Sequence, residues 1–421
     1  MKCSKRLIYI FKEDIMSKKG KEFKSNFFAR NPQFNYVPES DQYLFLLDKP
    51  KYKFNVIGCG IMGQEHMRIT MLEGRGGIHG IYDTSPLSLE KAEQMFSLYF
   101  PGNQLTKYDS LEAACNDPLV DGLIICTPNF THIDIIRVAT KSEKHILLEK
   151  PMATTIKDAY EIMQIAKKYK SIFQVGLQYR YKAVYVEAIH EALERKSVGD
   201  IKMISILEHR VPFLDKVKQW NKFSKFSGGT LVEKCCHYFD LMNLLAQSKP
   251  SSVYATGSMA VNFKTFEYNN EKSDILDNAF VTVKYDNNIL SNFSLCMFSP
   301  MFHEEMIICG EEGRLMTSEN EDFLTAERPK THLEIMRGEG NPSRITTPCY
   351  PSYIEMTGHN GASFFEHVYF IDNIDGKKTN TATVEDGFWS IVVGSAAEES
   401  VKTGKIVIID DLLKQNGINV K

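Results

Sequence analysis

Gly58-Cys59-Gly60-Ile61-Met62-Gly63 follows an apolar run, Phe54-Asn55-Val56-Ile57, and leads into a helix-like stretch from Gln64. Three glycines at this spacing are weak evidence alone, but the setting gives each a task. Gly58 permits a tight turn, Gly60 lets backbone amides approach a pyrophosphate, and Gly63 lets helix pack on strand. The helix N-terminus then faces the phosphate charge, with Ile61 and Met62 of the turn beside it. Asp83 lies 25 residues beyond Gly58, at the end of a second strand-like run, Ile78 to Tyr82. A carboxylate there can accept hydrogen bonds from both adenine-ribose hydroxyls and repels a 2′-phosphate. No Arg or Lys among Thr84-Ser85-Pro86-Leu87 offsets it, so NAD is expected rather than NADP.

Two more clusters carry chemistry. Glu149-Lys150-Pro151 directly follows the buried run Ile146-Leu147-Leu148. In a doubly wound sheet, ligands bind beyond the carboxyl ends of strands, which puts Glu149 and Lys150 at the cofactor crevice. A lysine there can hold a substrate hydroxyl and ease its deprotonation; a solvated lysine at a strand end is the alternative. Pro151 would fix the chain direction, and a cis bond is open to it. The second cluster is Gly228-Gly229-Thr230-Leu231-Val232-Glu233-Lys234-Cys235-Cys236-His237-Tyr238-Phe239-Asp240. A helix is predicted from Leu231 to Leu245, with Glu233 and His237 on one face and Asp240 roughly continuing it. The two glycines allow backbone to approach a ligand closely. Adjacent Cys235 and Cys236 point about 100° apart on a helix. They read as packing thiols, and no metal is expected because no second cluster has ligand spacing.

These residues need a scaffold. From Lys53, strand and helix signals alternate for about 120 residues, ending at Phe173-Gln174-Val175. That rhythm predicts an α/β domain with a doubly wound parallel sheet over residues 51–176. Thereafter the pattern changes: a helix from Lys182 to Leu193, strands at Ile201 to His209, Ala279 to Tyr285, Ile289 to Met297 and Met306 to Cys309, and a helix from Val384 to Val401. This predicts a second, α+β domain over residues 177–421, with an open, mostly antiparallel sheet. Residues 1–50, rich in Lys, Asn and Phe, are expected to form an irregular arm.

Composition narrows the class. The 421 residues are 43% hydrophobic and 24% charged, with net charge −3, so no nucleic-acid surface is indicated. Nine scattered cysteines without a CxxC pair read as reduced thiols, and hence a cytoplasmic protein. The apolar run Leu7 to Phe11 stops at Lys12-Glu13-Asp14, too short for a secretion signal, and Met16 is a second candidate start that would leave residues 1–15 upstream. No stretch reaches the length of a membrane span.

In order and spacing, the glycine turn, Thr127-Pro128-Asn129-Phe130-Thr131-His132 and Glu149-Lys150-Pro151 resemble the glucose–fructose oxidoreductase / inositol dehydrogenase / MocA family, across roughly residues 53 to 408. Ser400-Val401-Lys402-Thr403-Gly404-Lys405 is similar to that family's terminal helix and strand. The resemblance implies a Rossmann domain, an open-sheet domain, and hydride transfer between a sugar or polyol carbon and nicotinamide. It implies that Thr127, Pro128, Asn129 and His132 line the nicotinamide-ribose side. Inositol-dehydrogenase-like members place an aspartate four residues before a histidine, and these act with the lysine. Here Glu233, one methylene longer, stands for the aspartate and His237 matches. The implied catalytic group is Lys150, His237 as general base or acid near neutrality, and Glu233 orienting it or binding a substrate hydroxyl. Gln178-Tyr179-Arg180-Tyr181 resembles a substrate-proximal segment, which puts Tyr179 and Arg180 at the substrate. Trp220 can stack on a sugar face. His209-Arg210 and His359-Asn360-Gly361 are further pocket candidates. The Glu233-to-His237 run loosely resembles members that oxidise C3 of glycosides. Two other readings are a redox-neutral glycoside-cleaving enzyme, which returns its hydride, and a non-catalytic NAD-dependent sensor. The open sheet face and aromatic arm imply a homo-oligomer.

Overall fold

The computed structural model describes residues 49–322, 328–338 and 340–419. Of the expected arm, only Lys49 and Pro50 fall within them, and the alternative start at Met16 lies outside. No helix of the described residues is long and apolar enough to cross a membrane.

The first layer is the expected parallel sheet. Its strands are β1 (Tyr52–Ile57), β2 (Gly76–Tyr82), β3 (Thr106–Lys107), β4 (Gly122–Ile125), β5 (His145–Glu149) and β6 (Phe173–Gly176). They lie in the order β3-β2-β1-β4-β5-β6, which reverses between β1 and β4 and so opens a crevice at the carboxyl ends there. The main helices are α1 (Ile61–Glu73), α2 (Pro86–Tyr99), α3 (Leu111–Asn116), α4 (His132–Ala139) and α5 (Ile156–Lys167). Ser85, Ser110 and Thr155 cap α2, α3 and α5 by accepting a backbone N–H. In contrast, α1 begins at Gly60 with no side-chain cap, leaving its first amides for a ligand.

The second layer holds α6 (Ala183–Ile189), β7 (Ile201–His209), α7 (Thr230–Glu233), α8 (Cys236–Ala246), β8 (Pro250–Ser258), β9 (Asn278–Tyr285), β10 (Leu290–Cys296), β11 (Phe302–Gly310), β12 (Gly313–Glu321), β13 (Lys330–Arg337) and β14 (Arg344–Thr346). Helices α9 (Ala362–Ile374) and α10 (Val384–Thr403) follow, then β15 (Val407–Ile408). The nine strands run β14-β13-β12-β11-β7-β10-β9-β8-β15. Only β7 and β10 pair in parallel; the sheet is otherwise antiparallel.

Two details depart from expectation. The predicted helix over Leu231–Leu245 is two helices, broken at Lys234-Cys235. At the break Lys234 turns inward, its ammonium 3.0 Å from Glu208 and 2.7 Å from the Tyr179 hydroxyl. Glu233 and His237 therefore belong to successive helices rather than to one. The second departure is α9, which lies far along the chain yet packs on α1. Its Phe370 and Ile371 complete the core formed by Phe54, Val56 and Met67. Arg75, just beyond α1, pairs with Asp372 of α9.

Candidate active site

One cavity of about 980 Å³ runs from the glycine turn and Asp83 to Lys150, Glu233 and His237. Its nucleotide end fits a dinucleotide by steric argument. A Cβ on Gly63 would sit 2.0 Å from the Gly58 carbonyl oxygen, and one on Gly58 would sit 2.7 Å from the Thr127 nitrogen. Both glycines are thus required by the protein's own packing. A Cβ on Gly60 meets nothing within 4 Å, and Gly60 borders the cavity. That space, in front of the uncapped α1, is where a pyrophosphate would lie. Ile61 and Met62 border it too, and Gly63 acts from behind through packing.

Asp83 borders the same end. Its carboxylate accepts the Cys59 and Ser85 N–H groups, each at 2.7 Å. Those bonds aim the side chain and leave lone pairs for ribose hydroxyls. Asp83→Ser is expected to raise the NADP-to-NAD ratio of kcat/KM by at least about tenfold, since loss of about 1.4 kcal/mol of repulsion suffices. Steady-state rates with both cofactors check it; an unchanged ratio removes Asp83 as the discriminator.

Thr127, Pro128 and Asn129 border the cavity as expected. His132 does not. It is fully buried, and its ring nitrogens lie 3.0 Å from the Thr127 carbonyl and 3.1 Å from the Pro151 carbonyl. Burial lowers its pKa. His132 clasps the Thr127 loop to the segment after Lys150, and has no nitrogen left for the cofactor.

Glu149 and Lys150 both border the cavity, and the Lys150–Pro151 peptide is cis. Glu149 accepts from the Lys150 N–H at 2.9 Å and lies 2.8 Å from His66 Nε2. His66 Nδ1 in turn lies 2.7 Å from His367 Nε2 on α9. This buried chain, which the sequence did not signal, fixes Glu149 behind the lysine. Burial opposes the charge on Lys150, but Glu233, Cys236 and Glu149 outweigh it and hold its pKa above the ordinary lysine value. Lys150 is therefore an ammonium.

His237 stacks on the Tyr179 ring, centroids 3.9 Å apart and planes 10° from parallel. Its Nδ1 is buried without a partner, while the ring borders the cavity. Burial, then the Lys150 and Lys234 cations, push its pKa well below the ordinary value. His237 is therefore a neutral imidazole. Glu233 also borders the cavity and forms no salt bridge among the described residues.

Tyr179 borders the cavity, but its hydroxyl is engaged by Lys234, so it serves His237 as a platform. Arg180 is a correction. It turns away from the cavity into a buried bidentate pair with Asp240 and reaches Asp386 at 3.1 Å. This also takes Asp240 away from the Glu233–His237 group. Trp220 borders the cavity mouth, edge-on to Phe130. Gly228 and Gly229 approach protein rather than ligand: added Cβ atoms would meet the Thr154 carbonyl and the Glu398 carboxylate. His359 and Asn360 do border the cavity, and His359 Nδ1 lies 2.9 Å from Glu65. Burial opposes ionisation of Glu65, but His359 outweighs it and holds its pKa down to about 2. Glu65, Lys182, Arg210, Lys216 and Lys234 are among the other charged residues of the lining. Of these, sequence reading singled out Arg210 alone.

Comparison with known proteins agrees with this geometry. Residues 52–177 match the NAD-binding Rossmann fold of an oxidoreductase family, and residues 190–409 match its C-terminal alpha/beta domain. An inositol 2-dehydrogenase of Rhizobium meliloti is 24% identical over 351 residues, covering 83% of this chain and 96% of that protein. A myo-inositol 2-dehydrogenase of Thermotoga maritima is 21% identical over 364 residues, covering 86% and 99%. The crystal structure of GenD2 from gentamicin A biosynthesis, in complex with NAD, shares the fold: TM-score 0.67, 18% identity, 86% of this chain and 97% of that one. With both domain types matched in order, the chain belongs to the glucose–fructose oxidoreductase / inositol dehydrogenase / MocA family of NAD-binding oxidoreductases.

Proposed function

We propose that this protein is a dehydrogenase moving hydride between NAD and a secondary alcohol carbon of a sugar, polyol or glycoside. The observation that carries the reading is a charged Lys150 and a neutral His237 on one cavity with the glycine cradle. Two relatives named as inositol 2-dehydrogenases support a polyhydroxylated substrate. NAD, when bound, supplies the hydride acceptor. Lys150 donates a hydrogen bond to the substrate oxygen and stabilises the negative charge that develops there. His237, uncharged, takes the hydroxyl proton, and in the reverse direction the imidazolium returns it. Glu233 stabilises that imidazolium and accepts from a neighbouring hydroxyl. The Tyr179 ring keeps the imidazole in plane. The Glu233–His237 run supports C3 of a glycosyl group as the carbon oxidised. Exposed Met203, Phe280 and Leu290 on the nine-stranded sheet support a homo-oligomer.

A screen of sugars, polyols and glycosides by NADH absorbance, with NMR of the product, tests the reading. Stoichiometric NADH marks net oxidation, glycoside cleavage without NADH marks the redox-neutral reaction, and absence of turnover across the panel overturns both. The pH profile is a further expected result. A base must be unprotonated, and the His237 pKa is depressed. The oxidation rate should therefore hold steady as pH falls through the ordinary histidine range, about 6.5, and drop only below it. A limb in kcat/KM at that ordinary value would remove His237 as the base.

A further inference from the structure

His359 is held more firmly than a residue that merely walls a cavity. It sits in a left-handed stretch: φ is 46° at His359 and 54° at Asn360, between Gly358 at 146° and Gly361 at 87°. Residues with a Cβ enter that region at a cost, and the strain persists only where surrounding contacts hold it. Here three elements supply them. Asn360 donates to Glu319 of β12 at 2.8 Å. His359 Nδ1 lies 2.9 Å from Glu65 of α1 and 3.2 Å from the hydroxyl of Ser363 on α9, and that hydroxyl donates to Glu65 at 2.9 Å. Gly358 makes room for the same carboxylate, since a Cβ there would stand 2.5 Å from it.

The anchoring decides which edge of the imidazole is free. Glu65 is ionised, and a carboxylate only accepts, so Nδ1 carries the hydrogen and Nε2 holds the lone pair of the neutral ring. Nε2 forms no hydrogen bond among the described residues, and it is open rather than entombed: the side chain is 30% exposed and the residue borders the cavity. His359 and His237 both lie against the Tyr179 ring, centroids 6.3 and 3.9 Å away. One sugar or inositol ring can bridge that spread. We propose that His359 is a substrate-contacting residue whose Nε2 accepts a hydrogen bond from another hydroxyl of the sugar or polyol, while the reacting hydroxyl lies at Lys150 and His237. Glu65 is then a positioning residue that fixes the tautomer. This deepens the dehydrogenase reading and rests on it for the position of the reacting hydroxyl.

His359→Asn is the discriminating variant. Its amide nitrogen can keep the bond to Glu65, asparagine tolerates the left-handed region, and Nε2 is lost. NAD reduction by wild type and variant is compared on D-glucose, methyl β-D-glucoside and myo-inositol, each with its monodeoxy forms. In wild type, one deoxy form that keeps the reacting hydroxyl should lose about tenfold in kcat/KM, the effect of one hydrogen bond. His359→Asn should lose about as much on the parent compound and nothing further on that deoxy form. Apart from turnover, heteronuclear NMR of protein labelled at its histidine nitrogens, with the His359 signal identified by its absence from the variant, should show the neutral ring protonated at Nδ1. Glu65→Gln should shift that proton toward Nε2. A His359→Asn loss that is absent, equal on parent and deoxy forms, or confined to the KM for NAD overturns the inference and leaves the dehydrogenase reading in place. So does a wild-type ring protonated at Nε2. If nothing is oxidised but one of these sugars raises the unfolding temperature of the NADH-loaded protein, and His359→Asn abolishes the rise, the contact stands and the dehydrogenase reading falls. With neither oxidation nor protection, both fall.

Discussion

Lys150→Met is expected to lower kcat by about 10²–10⁴, the range spanned by acid–base and hydrogen-bonding groups at the reacting atom. Methionine keeps the length of the stem and is content in a buried setting, so the variant should fold and bind NADH. What it loses is the cation beside the substrate oxygen. It also loses one of the charges that depress the His237 pKa, second only to burial. The acid limb of the residual activity should therefore move to higher pH. NADH fluorescence titration, single-turnover absorbance and a pH profile give three separate readouts. Turnover within about threefold of wild type would sink the role given to Lys150. Loss of NADH binding alongside activity would move the lysine from chemistry to cofactor binding.

Arg180→Met is expected to act on stability instead. Arg180 and Asp240 form a buried bidentate pair, and removing one partner strands the other's charge. Breaking such a pair costs about 3–5 kcal/mol. Burial already pushes the Asp240 carboxyl up to about 6 with Arg180 in place. Without the guanidinium it rises further above its unfolded value. A raised folded pKa gives stability that is present below the unfolded pKa and lost as pH rises through the folded one. The variant should accordingly be less impaired near pH 5 than near pH 8, and Asp240→Leu added to Arg180→Met should recover much of the loss. Denaturant unfolding at the two pH values checks this. Unchanged stability with a collapse of kcat/KM for substrate would restore Arg180 to the ligand, where its neighbours in sequence put it.

The contrast between these two residues shows what the sequence carried. The nucleotide end was legible because its logic is local: a strand, a glycine turn, a helix and an acid within 26 residues, Gly58 to Asp83. Lys150 was legible for the same reason, being the residue after a buried strand. Arg180 was not, because its partner Asp240 is 60 residues away and no local pattern records the pair. His132 was misjudged for a similar reason, as the Pro151 carbonyl that occupies it sits 19 residues on. The spacing of Glu233 and His237 matched one helix turn, and nothing local signalled the break that Lys234 makes on reaching Glu208. Strand β12 escaped notice because its inward residues include Thr317 and Glu319. A strand that buries a carboxylate to meet Lys182 does not alternate between apolar and polar, so the usual period-two signal is lost. The polar interior beneath the site erased the very pattern by which its strands are found.

The packing of α9 on α1 has a consequence for how the chain comes into being. The helix that opens at the glycine turn is covered by Phe370 and Ile371 and tied through His66 to His367, so its burial waits for residues some 300 positions later. During synthesis on the ribosome, the nucleotide-binding sheet would emerge with that helix still bare on one side. It stays so until the strands of the second sheet and α9 have followed. A nascent or truncated chain would therefore present an apolar helix face to its surroundings.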